Sequence, residues 1–248
     1  TSEILPKVKQ DLEADHPVLF TGTPCQIAGL DGYLGRHTDN LLTIDLVCHG
    51  VPSPGLFASH FSEMEDKLES PITQINFRTK DKGWGSFINF FLKIETEEQA
   101  KLTYAPLDAY YASFLANLSL RPVCYRCKFA STQRVGDLTL GDFWGVDKTH
   151  PELFDGKGTS IILANSAKGE DALERLRDDL FLKPLDQLKP MPPNLVHPTP
   201  KPGLRDNFLR SIHFERWNHQ RTGKHLLALM VLAINKFRHG VKTFFGLR

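Results

Sequence analysis

The chain contains four cysteines, Cys25, Cys48, Cys124 and Cys127, and each lies in a turn-like segment that is rich in glycine or proline. Structural cysteines are usually small hydrophobic residues buried in helices or strands. A thiolate in a turn instead lies close to backbone N–H groups that can donate hydrogen bonds to its sulfur. The four residues are therefore predicted to form a ligand set for a soft metal centre.

The spacing of the cysteines leaves three identities open for that centre. Structural zinc sites usually use two closely spaced cysteine pairs, whereas only Cys124 and Cys127 are close in this sequence. An iron–sulfur cluster more readily accepts single cysteines from separate loops. A redox-active dithiol requires a helix that begins at the first cysteine of the pair, and the residues after Cys124 are polar and loop-like.

The segment around the cysteine pair is basic. Between residues 121 and 134 the sequence has four bases, Arg121, Arg126, Lys128 and Arg134, and no acid. Positive charge near a cluster stabilises its reduced state. The same charge attracts an acidic electron-donor protein, so this segment is predicted to favour such a partner.

Composition limits the class of protein. The 248 residues include 30 Lys and Arg against 29 Asp and Glu, which excludes a nucleic-acid-binding surface spread over the whole protein. No secretory signal opens the chain, and the longest apolar run, 226–234, is shorter than the ~20 residues of a membrane span. We expect a soluble cytoplasmic protein without nucleic-acid or membrane partners. In the reducing cytosol the cysteines are expected to bind a metal or act catalytically rather than form disulfides.

The hydrophobic pattern alternates between strands and helices. Apolar runs at 16–20 and 41–47 predict strands, each followed by a helix with proline at its start. Cys25 and Cys48 thus follow strand ends, the edge at which open α/β sheets bind ligands. We predict a mixed α/β (α+β) fold with a central sheet, flanking helices and a helical C-terminal tail. The helices are predicted at 24–34, 54–68, 107–118 and about 167–180, with further strands at 72–78, 86–95, 139–143 and 159–164.

Three segments are expected along the chain. Residues 1–183 are predicted to form the α/β domain. Residues 184–203 contain seven of the 16 prolines, a density typical of an extended arm. Residues 204–248 are helical in pattern, and the last part, 222–248, has five Lys or Arg and no acid. That part is expected to pack its apolar face on the core, with contact to an anionic membrane surface as the alternative.

Five segments stand out along the chain: 18–30 (VLFTGTPCQIAGL), 46–54 (LVCHGVPSP), 77–84 (FRTKDKGW), 120–127 (LRPVCYRC) and 136–145 (GDLTLGDFWG). In this order they resemble the beta-subunit family of coenzyme F420 hydrogenase and dehydrogenase, which looks to include 7-hydroxymethyl chlorophyll a reductases and many bacterial proteins from polysaccharide gene clusters. The resemblance extends over about residues 15–215, and the five segments together are far more specific than any one of them.

The resemblance implies that the four cysteines hold a 4Fe-4S cluster and that the protein binds FAD. It thereby favours iron over zinc. Relatives reduce a deazaflavin, a chlorophyll hydroxymethyl group or other substrates, and many carry an N-terminal ferredoxin-like region with further clusters. Nothing like that region is present, and the chain begins at Thr1. We expect that an upstream part is missing, with a separate ferredoxin as the alternative.

Several turns could contact the flavin that the resemblance implies, although no G-x-G-x-x-G fingerprint follows a strand. Gly22 and Thr23, at a predicted helix start, offer backbone N–H groups to a phosphate; the alternative is a tight turn that orients Cys25. Arg78 and Lys80 offer charge beside Trp84, which offers a ring for stacking. The alternative for these two bases is ordinary solvation at a hairpin.

A second set of loop residues is suggested for flavin contact by the relatives. Asp142 within this set could instead cap a helix. No residue is assigned as the catalytic proton donor. The set is Asp137, Gly141, Asp142 and Gly145, followed by Lys157, Gly158, Thr159 and Ser160.

These expectations combine into one predicted function. We predict an oxidoreductase that moves electrons between a ferredoxin-type donor and a two-electron acceptor, a deazaflavin or another small molecule, through a 4Fe-4S cluster and FAD. The alternative is a non-catalytic module held together by zinc in a polysaccharide biosynthesis complex.

Overall fold

The computed structural model describes residues 3–35, 38–83 and 90–211. Two compact units divide the chain. Unit 1 contains Thr1–His49 and Cys127–Pro198, and unit 2 contains Gly50–Arg126 and Thr199–Arg248. The expected division into a domain over 1–183, an arm over 184–203 and a tail over 204–248 stays a prediction.

Unit 1 is built on a sheet of four strands, β1 Val18–Thr21, β2 Leu41–Leu46, β6 Leu138–Asp142 and β7 Ser160–Ala164. Their order in the sheet is β1-β2-β6-β7. β1 pairs with β2 and β2 with β6 in parallel, whereas β6 and β7 are antiparallel. Along β2 the side chains alternate, and Leu41, Thr43 and Asp45 occupy the buried face.

Four helices belong to unit 1. α2 connects the parallel strands β1 and β2, a connection that requires a crossover. One apolar cluster combines Val8 of the first helix, Leu30 of the second and Leu41 of β2. A second cluster forms around Phe143, Val146 and Ile161. The helices are α1 Ile4–Glu13, α2 Pro24–Leu34, α5 Val146–Thr149 and α6 Ala167–Arg175.

Unit 2 contains an antiparallel sheet of three strands, β3 Ile72–Thr79, β4 Phe91–Thr96 and β5 Ala100–Tyr104, in this order. Its core joins Met64 of a helix to Leu92 and Ile94 of the central strand and to Tyr111. Short 3₁₀ helices cover Ala105–Leu107 and Pro122–Arg126. The helices are α3 Pro54–Leu68, α4 Ala109–Leu115 and α7 Arg205–Ser211.

The predicted mixed α/β class with flanking helices is confirmed. Both proline-initiated helices begin where expected, at Pro24 and Pro54. The strands, however, belong to two sheets rather than one central sheet. In the described part of the proline-rich segment, the regular structure is a 3₁₀ turn at Pro193–Leu195.

Other boundaries differ from the expectation. The helix predicted over 107–118 begins at Ala109, because Asp108 caps it by accepting the Tyr111 N–H at 2.8 Å. The helix predicted to reach about 180 ends at Arg175. The start of the strand predicted over 86–95 and the tail over 222–248 lie outside the described residues. None of the helices in the described parts of the chain is long and apolar enough to span a bilayer.

Candidate functional site

Cys25 is exposed and lies in the first turn of α2. Pro24 begins this helix, and Thr23 precedes it in an extended conformation. Gln26 Oε1 accepts hydrogen bonds from the Thr23 backbone N–H at 2.9 Å and from the Thr23 hydroxyl at 3.0 Å. Thr23 Oγ1 lies 3.2 Å from Cys25 Sγ. The thiol is therefore held at a helix N-terminus, where the helix dipole favours negative charge.

Cys48 follows the end of β2 and is partly buried. The Val47 N–H donates to the Leu140 carbonyl at 2.8 Å, so the hydrogen bonding between β2 and β6 extends to the residue before the cysteine. A Cβ on Gly141 would lie 2.7 Å from Val47 Cγ2. Glycine is thus required at 141 for the close approach of the two strands beside Cys48.

Cys124 lies in the 3₁₀ helix Pro122–Arg126 and is partly buried. Its Sγ accepts a hydrogen bond from the Val51 N–H at 3.4 Å. Gly50, with φ of 139°, precedes that amide, and a Cβ on it would lie 2.8 Å from Leu120 Cδ1. Gly50 therefore lets the main chain bring an N–H group to the sulfur.

Arg205 of α7 donates hydrogen bonds to residues on both sides of Cys124 in the sequence. The sequence analysis missed this residue. Its Nε donates to Tyr125 Oη at 3.0 Å, and its Nη2 donates to the Leu120 carbonyl at 2.9 Å. Burial raises the pKa of Tyr125, while the Arg205 guanidinium opposes part of this rise. No sequence signal links Arg205 to a turn 80 residues earlier.

Cys127 directly follows the 3₁₀ helix and is partly buried. The nearby bases Arg121, Arg126 and Lys128 are exposed and form no ion pair with any described residue. Arg134 differs, because its Nη2 pairs with Asp45 Oδ1 at 2.6 Å inside the protein. Of the four bases in this segment, Arg134 is therefore paired with a buried acid from outside the segment.

All four cysteines are free thiols. Cys25, Cys48 and Cys127 belong to unit 1, and Cys124 belongs to unit 2. Within residues 3–35, 38–83 and 90–211, no three His, Cys, Asp or Glu side chains are grouped so that they could hold a metal ion. Cys25 lies in an α-helix and Cys124 in a 3₁₀ helix, so the expectation that every cysteine lies in a turn is wrong for these two. Four unbridged thiols are nevertheless the donor chemistry that an iron–sulfur cluster requires. The donor types therefore fit a cluster, and the convergence of the four sulfurs stays a prediction.

The backbone amides proposed for phosphate binding at the start of α2 have partners within the chain. The Gly22 N–H donates to the Ile44 carbonyl at 3.1 Å, and the Thr23 N–H donates to Gln26. A phosphate bound there would have to replace these hydrogen bonds. The arrangement supports the alternative of a turn that orients Cys25, and flavin contact by Gly22 and Thr23 stays a prediction.

Arg78 and Lys80 lie at the end of β3 in unit 2. The Arg78 guanidinium carbon lies 3.4 Å from the centre of the Phe90 ring, so the side chain stacks on an aromatic face. The Lys80 carbonyl accepts the Gly83 N–H at 2.8 Å in the turn that follows. Trp84, the predicted stacking partner, lies outside the described residues, and the flavin role of these bases stays a prediction.

The second loop set is brought together at one end of the β6–β7 pair. Asp142 and Ser160 are register partners, and the Phe143 N–H donates to the Thr159 carbonyl at 2.9 Å. Gly158 precedes this pairing, and Gly145, with φ of 83°, is the N-cap of α5. Asp142 lies within β6 and is not that cap, so the helix-capping alternative is wrong. Flavin contact by these residues stays a prediction.

Asp137 was also predicted in this set; it makes hydrogen bonds that have a structural role, and its contact with a flavin stays a prediction. Its carboxylate accepts the Thr43 N–H at 2.8 Å and the Ser166 hydroxyl at 2.6 Å, which ties β6 to β2 and to the start of α6. Burial raises the pKa of Asp137, but the hydrogen bonds from Ser166 and Thr43 and the charge of Lys168 outweigh burial, so that the pKa lies below its ordinary value. Asp137 is held as a carboxylate.

Comparison with known families matches residues 15–187 to the family described as the C terminus of the beta subunit of coenzyme F420 hydrogenase/dehydrogenase. The matched residues are more than half of the chain. They include all four cysteines and every candidate flavin-binding residue. No curated protein matches the chain.

Proposed function

We propose that this chain, which belongs to the coenzyme F420 hydrogenase/dehydrogenase beta-subunit family, transfers electrons through a 4Fe-4S cluster and FAD. Its family identifies it as a beta-subunit-like oxidoreductase domain. The observation that carries the finer proposal is that every cysteine of the chain lies in the matched region as a free thiol.

The cluster would be held by Cys25, Cys48, Cys124 and Cys127. The chain already provides a hydrogen-bond donor to one of these sulfurs, because the Val51 N–H donates to Cys124 Sγ. Hydrogen bonds to cluster sulfurs shift the reduction potential. This contact is therefore expected to shift the potential of the bound cluster upward, because it stabilises the more negative, reduced state.

A cluster supplies single electrons and a flavin exchanges two, so a protein with both can connect a one-electron donor to a two-electron acceptor. The loops at the end of β6 and β7 are the strongest candidate for the flavin side. Asp142 and Ser160 are exposed there. Gly145 and Gly158 provide turns without side chains, through which a ligand can approach the backbone closely.

The donor is proposed to be an acidic ferredoxin-type protein or a fused ferredoxin-like region. Support comes from Arg121, Arg126 and Lys128, which are exposed, lie within eight residues of sequence and have no acidic residue among them. Long-range attraction of this kind accelerates association and weakens with salt. The acceptor is proposed to be a deazaflavin or another small molecule, and the free thiols fit a cytoplasmic location.

The proposal is tested by analysis of protein purified without oxygen. Iron, acid-labile sulfide, zinc and extracted flavin are measured for the wild type and for Cys25→Ser, Cys48→Ser, Cys124→Ser and Cys127→Ser. Val123→Ser serves as the matched control, because Val123 is 66% exposed and lies in the same turn as Cys124. The expected result is iron, sulfide and FAD in the wild type and the control, with iron lost from each cysteine variant.

Two results would count against the proposal. A colourless protein with one zinc ion would favour the non-catalytic zinc module. Iron retained at the wild-type level in any one of the four cysteine variants would remove that residue from the ligand set.

A further inference from the structure

The Arg134 side chain is almost completely inaccessible to solvent. It is 1% exposed, and the side chain of its partner Asp45 is 0% exposed. Burying a guanidinium is costly unless its charge is paired and its N–H groups are all satisfied. The groups to which Arg134 donates hydrogen bonds therefore indicate its role.

Arg134 donates to three separate segments of unit 1. Nη2 reaches Asp45 Oδ1 at 2.6 Å and the Leu46 carbonyl at 3.0 Å, both in β2. Nη1 reaches the Phe129 and Ser131 carbonyls at 2.8 and 3.2 Å. Nε reaches Thr139 Oγ1 of β6 at 3.2 Å.

Two of these contacts stand next to cysteines in the sequence. Leu46 precedes Cys48 by two residues, and Phe129 follows Cys127 by two residues. Because both contacts are made to main-chain carbonyls, they fix the path of the backbone rather than one side-chain rotamer. Asp45 adds to this by accepting the Gly136 N–H at 3.0 Å through its second oxygen.

We propose that Arg134 is a positioning residue for the cluster ligands. It holds the segments that bear Cys48 and Cys127 in fixed register before the cluster is inserted. This inference rests on the proposed ligand role of the cysteines. A planar guanidinium with five donors can link three segments at once, whereas a lysine ammonium is a point charge and cannot make the same set of bonds.

The test uses Arg134→Lys, which keeps the charge and removes the planar donor. Arg177→Lys is the matched control in unit 1, because Arg177 makes an ion pair with Glu174 at the surface. The metal-free proteins are treated with a maleimide, and the modification rate of each cysteine is measured by mass spectrometry. Hydrogen exchange of the Gly136 N–H verifies that the Arg134–Asp45 arrangement has loosened.

In Arg134→Lys, Cys48 and Cys127 are expected to react about tenfold faster than in the wild type, because their segments open locally. Cys124, held by the Val51 N–H in unit 2, is expected to keep its wild-type rate. General unfolding would instead accelerate all the partly buried thiols. After reconstitution with iron and sulfide, the reduced variant is expected to give a broadened electron paramagnetic resonance signal, since its ligands are no longer held in one geometry.

Unchanged rates at Cys48 and Cys127, together with faster exchange at Gly136, would overturn the inference. If Arg134→Lys does not fold, Thr139→Val decides. It removes the hydroxyl that accepts from both Arg134 Nε and Asn165 Nδ2 and leaves the contacts of Arg134 to Asp45 and to the main-chain carbonyls in place. It is expected to act in the same direction by about two- to threefold. A wild-type protein that takes up no iron would overturn the proposed function. The thiol rates would still decide whether Arg134 holds the two segments.

Discussion

In unit 1, Arg134 pairs with Asp45, and in unit 2, His60 Nε2 pairs with Asp108 Oδ2 at 2.9 Å with both side chains 8% exposed. Arginine keeps its charge at any accessible pH, whereas histidine can become neutral. The pair in unit 1 links β2, which precedes Cys48, to the segment that follows Cys127. The pair in unit 2 links α3 to the cap of α4 and has Tyr110 stacked on the imidazole at 5.5 Å.

The difference indicates two uses for a buried polar pair. A permanently charged pair is costly to separate, so it fixes the arrangement of β2 and the segment after Cys127. The pair in unit 2 contains no guanidinium, so removal of its carboxylate leaves no permanently charged group buried without a partner. Four measurements test this comparison.

The largest effect is expected for Asp45→Ala in unit 1. The substitution leaves the Arg134 guanidinium buried without its counter-charge and removes the acceptor of the Gly136 N–H. We expect a loss of about 3–5 kcal/mol in the free energy of unfolding. Urea denaturation measures this loss, and a loss below about 1 kcal/mol would show that water or another acceptor compensates.

A smaller loss is expected for Asp108→Ala in unit 2. It removes the cap of α4 and the partner of His60, but it leaves no guanidinium buried without a counter-charge. We expect a loss of about 1–3 kcal/mol. Asp108→Ser restores a capping oxygen and should recover about 1 kcal/mol. Equal stability of the Ala and Ser variants in urea denaturation would argue against the capping contribution.

A pH-dependent difference between the units is expected from Tyr110. Burial and then the charge of Asp108 raise the pKa of Tyr110 to about 12 from 10.0. Above pH 10 the unfolded chain releases the phenolic proton while the folded chain keeps it, so stability falls as the pH rises. Tyr110→Phe removes this dependence. Between about pH 9 and 11.5 the wild type should lose roughly 1–2 kcal/mol more than the variant.

The measurement for Tyr110 is urea denaturation at a series of pH values for both proteins. Parallel stability curves for the wild type and Tyr110→Phe would contradict the expected titration.

The smallest effect is expected for the surface pair of Arg177 and Glu174, whose side chains are 71% and 63% exposed. Their separation of 2.6 Å is as short as that of Arg134 and Asp45. Solvent screens the exposed pair, so Arg177→Ala should change the unfolding free energy by less than about 0.5 kcal/mol. A loss comparable to that of Asp45→Ala would show that distance rather than burial decides the contribution.

Local chemistry made part of the fold predictable from the sequence. Proline at the first helical position marked the starts of α2 and α3, and apolar runs marked β1 and β2. β5 was missed because Ala100–Tyr104 is a short, largely exposed strand with little alternation. The division into two sheets was also missed, because strand partners such as β2 and β6 are far apart in sequence.

The contacts around the candidate site were less predictable than its cysteines. Residue type selected the four cysteines as candidates, and their ligand role stays a prediction. Arg134 and Arg205 act through partners 89 and 85 residues away. One signal was available in β2, where Thr43 and Asp45 lie on the same face of the strand as Leu41. A carboxylate on the buried face of a strand requires a partner, and an arginine was available in the basic segment.

The central claim is that four thiols hold one iron–sulfur cluster, and Mössbauer spectroscopy tests it most directly. Protein enriched in ⁵⁷Fe is purified without oxygen, and the iron per chain and its coordination are measured on the same sample. The account predicts about four iron atoms per chain, all in tetrahedral sulfur coordination as in a 4Fe-4S cluster. A protein with zinc, or with iron only at non-sulfur sites, would contradict it.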